Sequence, residues 1–229
     1  MIAEGTVRGT GGIRLASDDC ATTVPGLYAA GDAATREPIC GGFTGGGSHN
    51  AAWAISSGAW AGAGAARHAR SLGDRASRRA VTPLGGAGLR PAGRPVDDHR
   101  AVVATVQREV LPYDKNYLRH GDALAGALAT LDDTWRRVRA SLRATGADVV
   151  RARQAAAMTA HARWMYTAAL ARTETRGMAK RLDFPDQDPA QHHRLTTGGL
   201  DEIWIRPEAT GAAHGVASCS TEAPTASRS

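Results

Sequence analysis

The sequence predicts an α/β segment followed by an α-helical bundle with a small C-terminal β-hairpin. Three observations carry this prediction. Residues 1–70 hold short β-prone stretches, then a glycine run, then a long alanine-rich segment. Residues 97–177 place apolar side chains at spacings of three and four, the repeat of an amphipathic helix. Residues 192–207 set β-prone residues on either side of Gly198–Gly199, a hairpin signal.

Taken in order, residues 6–15 fit a short strand or hairpin with a tight turn at Gly11 and Gly12. "TVPG" reads as a turn, because proline fixes φ and glycine accepts a positive φ. "LYAAGD" reads as a short apolar strand ending at Gly31 and Asp32. "GGGSHN" then leads into a helix from about Asn50 to Arg70. Its small residues let it lie close to a sheet or a ligand. A glycine inside a helix costs about 1 kcal/mol against alanine, so tight packing is expected at Gly58, Gly62 and Gly64.

Residues 71–96 are rich in Gly, Pro and Arg and read as a flexible linker. The region 97–207 reads as a helical domain with the hairpin. Its first helix carries Val102, Val106 and Val110 on one face and stops at Pro112. Its second carries Leu124, Leu128, Leu131, Trp135, Val138 and Leu142, and a third ends near Gly177. Short connections between three such helices predict an antiparallel bundle. Trp53, Trp60, Trp135 and Trp164 are expected core anchors. Residues 208–229 are small and polar and read as a disordered tail.

Composition narrows the function classes. Of 229 residues 42% are hydrophobic but only 5% aromatic, so alanine, leucine and valine must fill the interior. The net charge of +6 raises nucleic-acid binding. The arginines, however, are interleaved with acids and no basic block carries aromatics, so no nucleic-acid partner is expected. No run of about 18 apolar residues occurs, so no transmembrane segment is expected. Cys20, Cys40 and Cys219 are isolated and form no CxxC pattern. They read as reduced thiols of a cytoplasmic chain, with no metal site. His192 and His193 are adjacent and would point to opposite sides of a strand.

The stretch from Gly26 to Ile55 asks for a specific explanation. Bare backbone, one carboxylate at a strand end and a helix start after a glycine run suit a dinucleotide cofactor. Glycine permits close approach, a carboxylate accepts from ribose or ribityl hydroxyls, and a helix N-terminus stabilises an electron-rich edge. A tightly packed structural turn explains the same residues.

Three segments carry a family resemblance: "TTVPGLYAAGDAA", "GGGSHNAAWAISSGAWAG" and "ARTETRGMAKRLDFPDQD". In order and spacing they resemble the C-terminal half of the flavoproteins of succinate dehydrogenase and fumarate reductase, a family that includes L-aspartate oxidase and the adenylylsulfate reductase α subunit. The glycine-serine-histidine form looks most like the adenylylsulfate reductase branch. The resemblance implies that residues 1–70 are the C-terminal piece of an FAD-binding domain. It also implies FAD as cofactor, hydride transfer between a small-molecule substrate and flavin, and an iron–sulfur electron-transfer subunit as partner.

Residue by residue, Gly31 and Asp32 match the end of the strand whose acid holds the ribityl chain. Gly45, Gly46 and Gly47 match the backbone beside the isoalloxazine, and Ser48 and His49 the helix start at its pyrimidine edge. Gly11–Gly12–Ile13 matches a turn beside the active site.

Departures matter as much. The family's histidine four residues before that turn is Val7 here, and its arginine five residues before the serine is Phe43. Succinate or fumarate is therefore not the expected substrate. The remaining candidate catalytic residues are Arg36, His49 and Arg176. Each has a plainer reading: a surface charge, a helix cap, and an interdomain ion pair with Glu174 or Asp183. The family's N-terminal GxGxxG element is not found in this sequence. The chain thus reads as a truncated, mis-started or split flavoprotein, not expected to bind FAD tightly alone. The rival reading is a catalytically inactive subunit-interaction module built on the bundle.

Overall fold

The structure, a computed structural model, describes residues 11–36, 39, 47–78, 80, 98–177 and 179–209. Helix α1 (Gly47–Leu72) is followed by α2 (His99–Val110), α3 (Tyr113–Asn116), α4 (Gly121–Ser141) and α5 (Asp148–Ala171). Strand β1 (Leu118–Arg119) pairs in parallel with β2 (Lys180–Arg181). Strands β3 (His193–Gly198) and β4 (Trp204–Ala209) form an antiparallel hairpin.

The bundle of α2, α4 and α5 forms where the periodicity predicts it. The Asp98 carboxylate caps α2 by accepting from the Arg100 N–H at 3.1 Å. His120 caps α4, its Nδ1 accepting from the Asp122 N–H at 3.3 Å. From α4, Leu124, Ala127, Leu131, Trp135 and Val138 are buried, and Leu142 follows just beyond its end. They meet Val102 and Val106 of α2. The facing side of α5 is mostly alanine: Ala152, Ala155, Ala156, Ala160, Ala162 and Ala169. Small side chains on α5 let the large ones of α4 fill the space between, which is how a chain poor in aromatics closes its core.

Tyr166 is the large buried residue of α5, and its hydroxyl donates to the Glu109 carbonyl of α2 at 2.5 Å. Burial pushes its phenol up to about 12, so it stays a donor at every ordinary pH.

The hairpin is fixed to the bundle by its loop. The Trp164 indole donates to the Gly199 carbonyl at 2.6 Å, and the Trp135 indole to Asp201 at 3.1 Å. The buried Arg163 donates to Asp132 at 2.6 Å and to the Leu200 and Asp201 carbonyls.

Several expectations need correction. "LYAAGD" forms no extended strand. Residues 11–36 make only single bridges, Ile13 with Ala34 and Ala21 with Tyr28. Positive φ at Gly26 and Gly31 leaves four residues between two turns, too few for a ladder. Helix α5 ends at Ala171, not near Gly177, because residues 172–176 turn away to enclose Glu174. Trp60 is 47% exposed and packs edge-to-face on the buried Trp53. Gly198 pairs with Trp204, so the hairpin loop is residues 199–203 rather than a tight turn at the two glycines.

Strand β4 runs through Ala209, two residues into the expected tail. Glu208 there pairs with Arg14 at 2.5 Å. Residues 210–229 and nearly all of the expected linker beyond Arg78 lie outside the described residues.

Among the described residues no helix is long and apolar enough to cross a membrane, and no group of three metal-ligating side chains occurs. Cys20 is a buried free thiol, and Cys40 and Cys219 lie outside the described residues.

Candidate functional site

The candidate site is built on a turn that packs onto α1. The backbone enters it at Gly31, whose φ of +59° suits glycine. The Gly31 N–H donates to Ser57 Oγ at 2.9 Å, and its carbonyl accepts from Trp53 Nε1 at 2.9 Å. Ser57 Oγ in turn donates to the Trp53 carbonyl at 2.5 Å, one helical turn back. Gly31 is thus held through both its N–H and its carbonyl by two residues of one helix face. On the other side the turn pairs with Ile13, whose N–H donates to the Ala33 carbonyl at 2.8 Å and whose carbonyl accepts from Thr35 at 3.0 Å. A Cβ on Gly12 would sit 2.6 Å from the Ala34 carbonyl carbon, so only glycine allows this approach.

The turn presents Asp32 to solvent, its side chain 93% exposed. Behind it lies Arg36, 5% exposed. Its guanidinium donates to Asn50 Oδ1 and lies 3.5 Å from Asp32 Oδ1. Asn50 stands in the first turn of α1. A single arginine therefore bridges an outward carboxylate and the start of a helix, whose free N–H groups carry partial positive charge. An acceptor and a set of donors side by side can hold a ligand that has hydroxyls at one point and an electron-rich edge at another.

The expected residues separate into two places. Gly31, Asp32 and Arg36 come together at α1. Gly47, Ser48 and His49 form its first turn, their side chains outside the described ones; Gly45 and Gly46 lie outside altogether. Arg36 is a buried tie and not a surface charge.

Arg176 stands in a different cluster, after α5. It grips the fully buried Glu174 with Nε to Oε1 at 2.7 Å and Nη2 to Oε2 at 2.9 Å, and donates to the Asp188 carbonyl. Arg172 holds Glu174 from the other side at 2.6 Å, and the Asp188 N–H donates to it at 2.8 Å. The Arg176 bonds, opposed by burial and aided by Asp188 and Arg172, bring the Glu174 carboxyl down to about 2. The ion pair foreseen for Arg176 exists, within its own segment. Asp183 pairs instead with Arg181.

Sequence reasoning missed Asn50, Trp53 and Ser57 as the supports of the turn. Trp53 and Ser57 share a helix face, but nothing local says that they reach back to Gly31.

Residues 108–207 match the family described as fumarate reductase flavoprotein C-term. L-aspartate oxidase of Rhodospirillum rubrum is 38% identical over 132 residues, 58% of this chain and 43% of that protein. A variant of E. coli quinol fumarate reductase FrdA superposes with a TM-score of 0.68 at 17% identity, over 87% of this chain and 36% of that one. The Mycobacterium smegmatis Sdh1 complex in its apo form gives 0.65 at 25% identity, over 89% and 36%. The chain spans less than half the length of these relatives.

By these matches the chain is similar to the C-terminal part of flavoproteins of the fumarate reductase type, with residues 108–207 carrying the family match.

Proposed function

We propose that the chain supplies the ribityl-side part of an FAD site in an FAD-dependent oxidoreductase. The observation that carries this is Asp32, an exposed carboxylate beside the first turn of α1 on a turn fixed at Gly31. The donor and acceptor set fits the group. Asp32 would accept from a ribityl hydroxyl, and the backbone N–H groups around Gly47, Ser48 and His49 would face the pyrimidine edge. The cofactor, when bound, supplies hydride transfer with a small-molecule substrate. The chain's own part is to hold and polarise the ring through fixed dipoles.

On this reading residues 1–70 are the piece of the FAD-binding domain, 71–96 the linker and 97–207 the helical domain. Of the three candidate catalytic residues, Arg36 and Arg176 are engaged by Asp32 and Glu174, which leaves His49 as the remaining candidate. Val7 and Phe43 argue against a dicarboxylate held in the usual way. An iron–sulfur subunit as electron partner and a cytoplasmic setting belong to the same proposal.

The inactive-module reading has one observation in its favour: the bundle buries two clusters of its own without residues 11–36. Fluorescence titration with FAD separates the two. A charge-assisted hydrogen bond is worth about 1.5–3 kcal/mol, so Asp32→Ala should weaken binding by roughly one to two decades. Equal affinity in parent and variant would remove Asp32 from the cofactor site.

A further inference from the structure

We infer that Arg36 is a positioning residue for Asp32: it fixes the rotamer of the exposed carboxylate and itself contacts no substrate. The use of that carboxylate rests on the FAD reading above; the positioning does not.

The argument is one of entropy and exposure. An ion pair between two exposed side chains usually contributes little, since both must be immobilised and water screens them. Here the asymmetry is extreme. The Arg36 side chain is 6% exposed and that of Asp32 is 93% exposed. Arg36 is already immobile, enclosed by protein and bonded to Asn50. Only the two torsions of Asp32 are lost when the pair forms, and the desolvated guanidinium attracts more strongly than an exposed one. Among the described residues Asp32 is the one carboxylate paired with Arg36, at 3.5 Å through Oδ1. Oδ2 meets no partner among them and is left as the outward acceptor. A carboxylate held before the ligand arrives loses less freedom on binding it.

The same contacts explain why Arg36 is not a substrate group. A cation that binds substrate needs open donors at the surface, and this side chain is 6% exposed, with Nη1 turned to Asn50 and Asp32. The chain leaves the 3-10 turn Gly31–Ala33 in an extended conformation at Ala34, and Arg36 then stands 3.5 Å from Asp32 Oδ1.

The test uses the whole chain and reads Asp32 by NMR. The parent should show Asp32 Hα–Hβ couplings of a single rotamer. Arg36→Met should average them while the Trp53 indole N–H resonance, which reports the Gly31 bond, stays in place. Arg36→Lys should restore the single rotamer. Averaged couplings in the parent, or fixed ones in Arg36→Met, would overturn the inference. If Arg36→Met loses the Trp53 signature, Asn50→Ala decides: it keeps the charge but frees the guanidinium, so averaging supports the inference and fixed couplings overturn it. FAD titration of the same proteins should show about tenfold weaker binding by Arg36→Met. Should the couplings respond while no protein binds FAD, the positioning stands and the flavin reading falls.

Discussion

Arg181 lies with its guanidinium against the Asp183 carboxylate, Nε to Oδ1 at 2.9 Å and Nη2 to Oδ2 at 2.7 Å, and the pair joins the end of α5 to the start of α4. Arg181 Nη1 donates to the carbonyls of Ala169, Leu170 and Arg172, the free acceptors at the close of α5. Asp183 accepts from the Gly121 N–H, the first donor of α4, at 3.0 Å. A cation thus sits at a helix C-terminus and an anion at a helix N-terminus, each opposite the partial charge it prefers. These bonds, Arg181 first, hold the Asp183 carboxyl well below the usual carboxylate range.

Removing the anion while keeping the shape should be costly. Arg181 is 3% exposed, and a buried cation without its partner loses about 3–5 kcal/mol. The Asp183 side chain is 20% exposed, which reduces the effect. Asp183→Asn should therefore destabilise the bundle by about 2–4 kcal/mol in thermal or urea unfolding. A change below about 0.5 kcal/mol would mean that the clasp is ornamental.

Glu174 predicts an acid limit. Its carboxyl is brought from 4.5 in the unfolded chain to about 2 in the fold. A lowered value means that the fold prefers the charged form. The stabilisation is full above 4.5 and is lost as pH falls from there to about 2. Stability followed against pH should decline through that window, and Glu174→Gln, which is already neutral, should give a flatter curve from a lower start. Parallel curves for parent and variant would contradict the assignment.

Two glycines of α1 should respond to alanine in opposite ways. Nothing lies within 4 Å of a Cβ placed on Gly58, whereas one on Gly64 would meet Asp19 Oδ2 and Tyr28 Cε1, each at 2.6 Å. Gly58→Ala should stabilise by up to about 1 kcal/mol through helix propensity. Gly64→Ala should cost about 1–3 kcal/mol by overpacking. It also pushes on Asp19, which holds Arg67 at 2.9 Å. Equal effects in unfolding experiments would show that α1 does not lie against residues 19–28 as described.

The bundle was legible because α4 writes its buried face in large residues, Leu124 to Leu142, at helical spacing. The end of α5 was not, because its buried face is alanine and its stop is set by Glu174 drawing Arg172 and Arg176 together, a contact that periodicity does not encode. The alternation of charge in Arg172, Glu174 and Arg176 was visible and did foreshadow one pair. In the first segment, glycine and carboxylate placement singled out Gly31 and Asp32 as candidates. Their supports, Trp53 and Ser57, lie 22 and 26 residues away and act through backbone groups. Pattern reading sees side-chain type, and here the specificity lies in which peptide those side chains reach.

The measurement closest to the central claim is an amide and indole NMR titration of the whole chain with FAD. It detects even millimolar binding, so it does not require the tight affinity of a complete flavoprotein. Shifts concentrated at Gly31–Arg36, the Trp53 indole and the first turn of α1, and reduced in Asp32→Ala, are the predicted result. Shifts absent there at about 1 mM FAD, or confined to the hairpin and bundle, would contradict it.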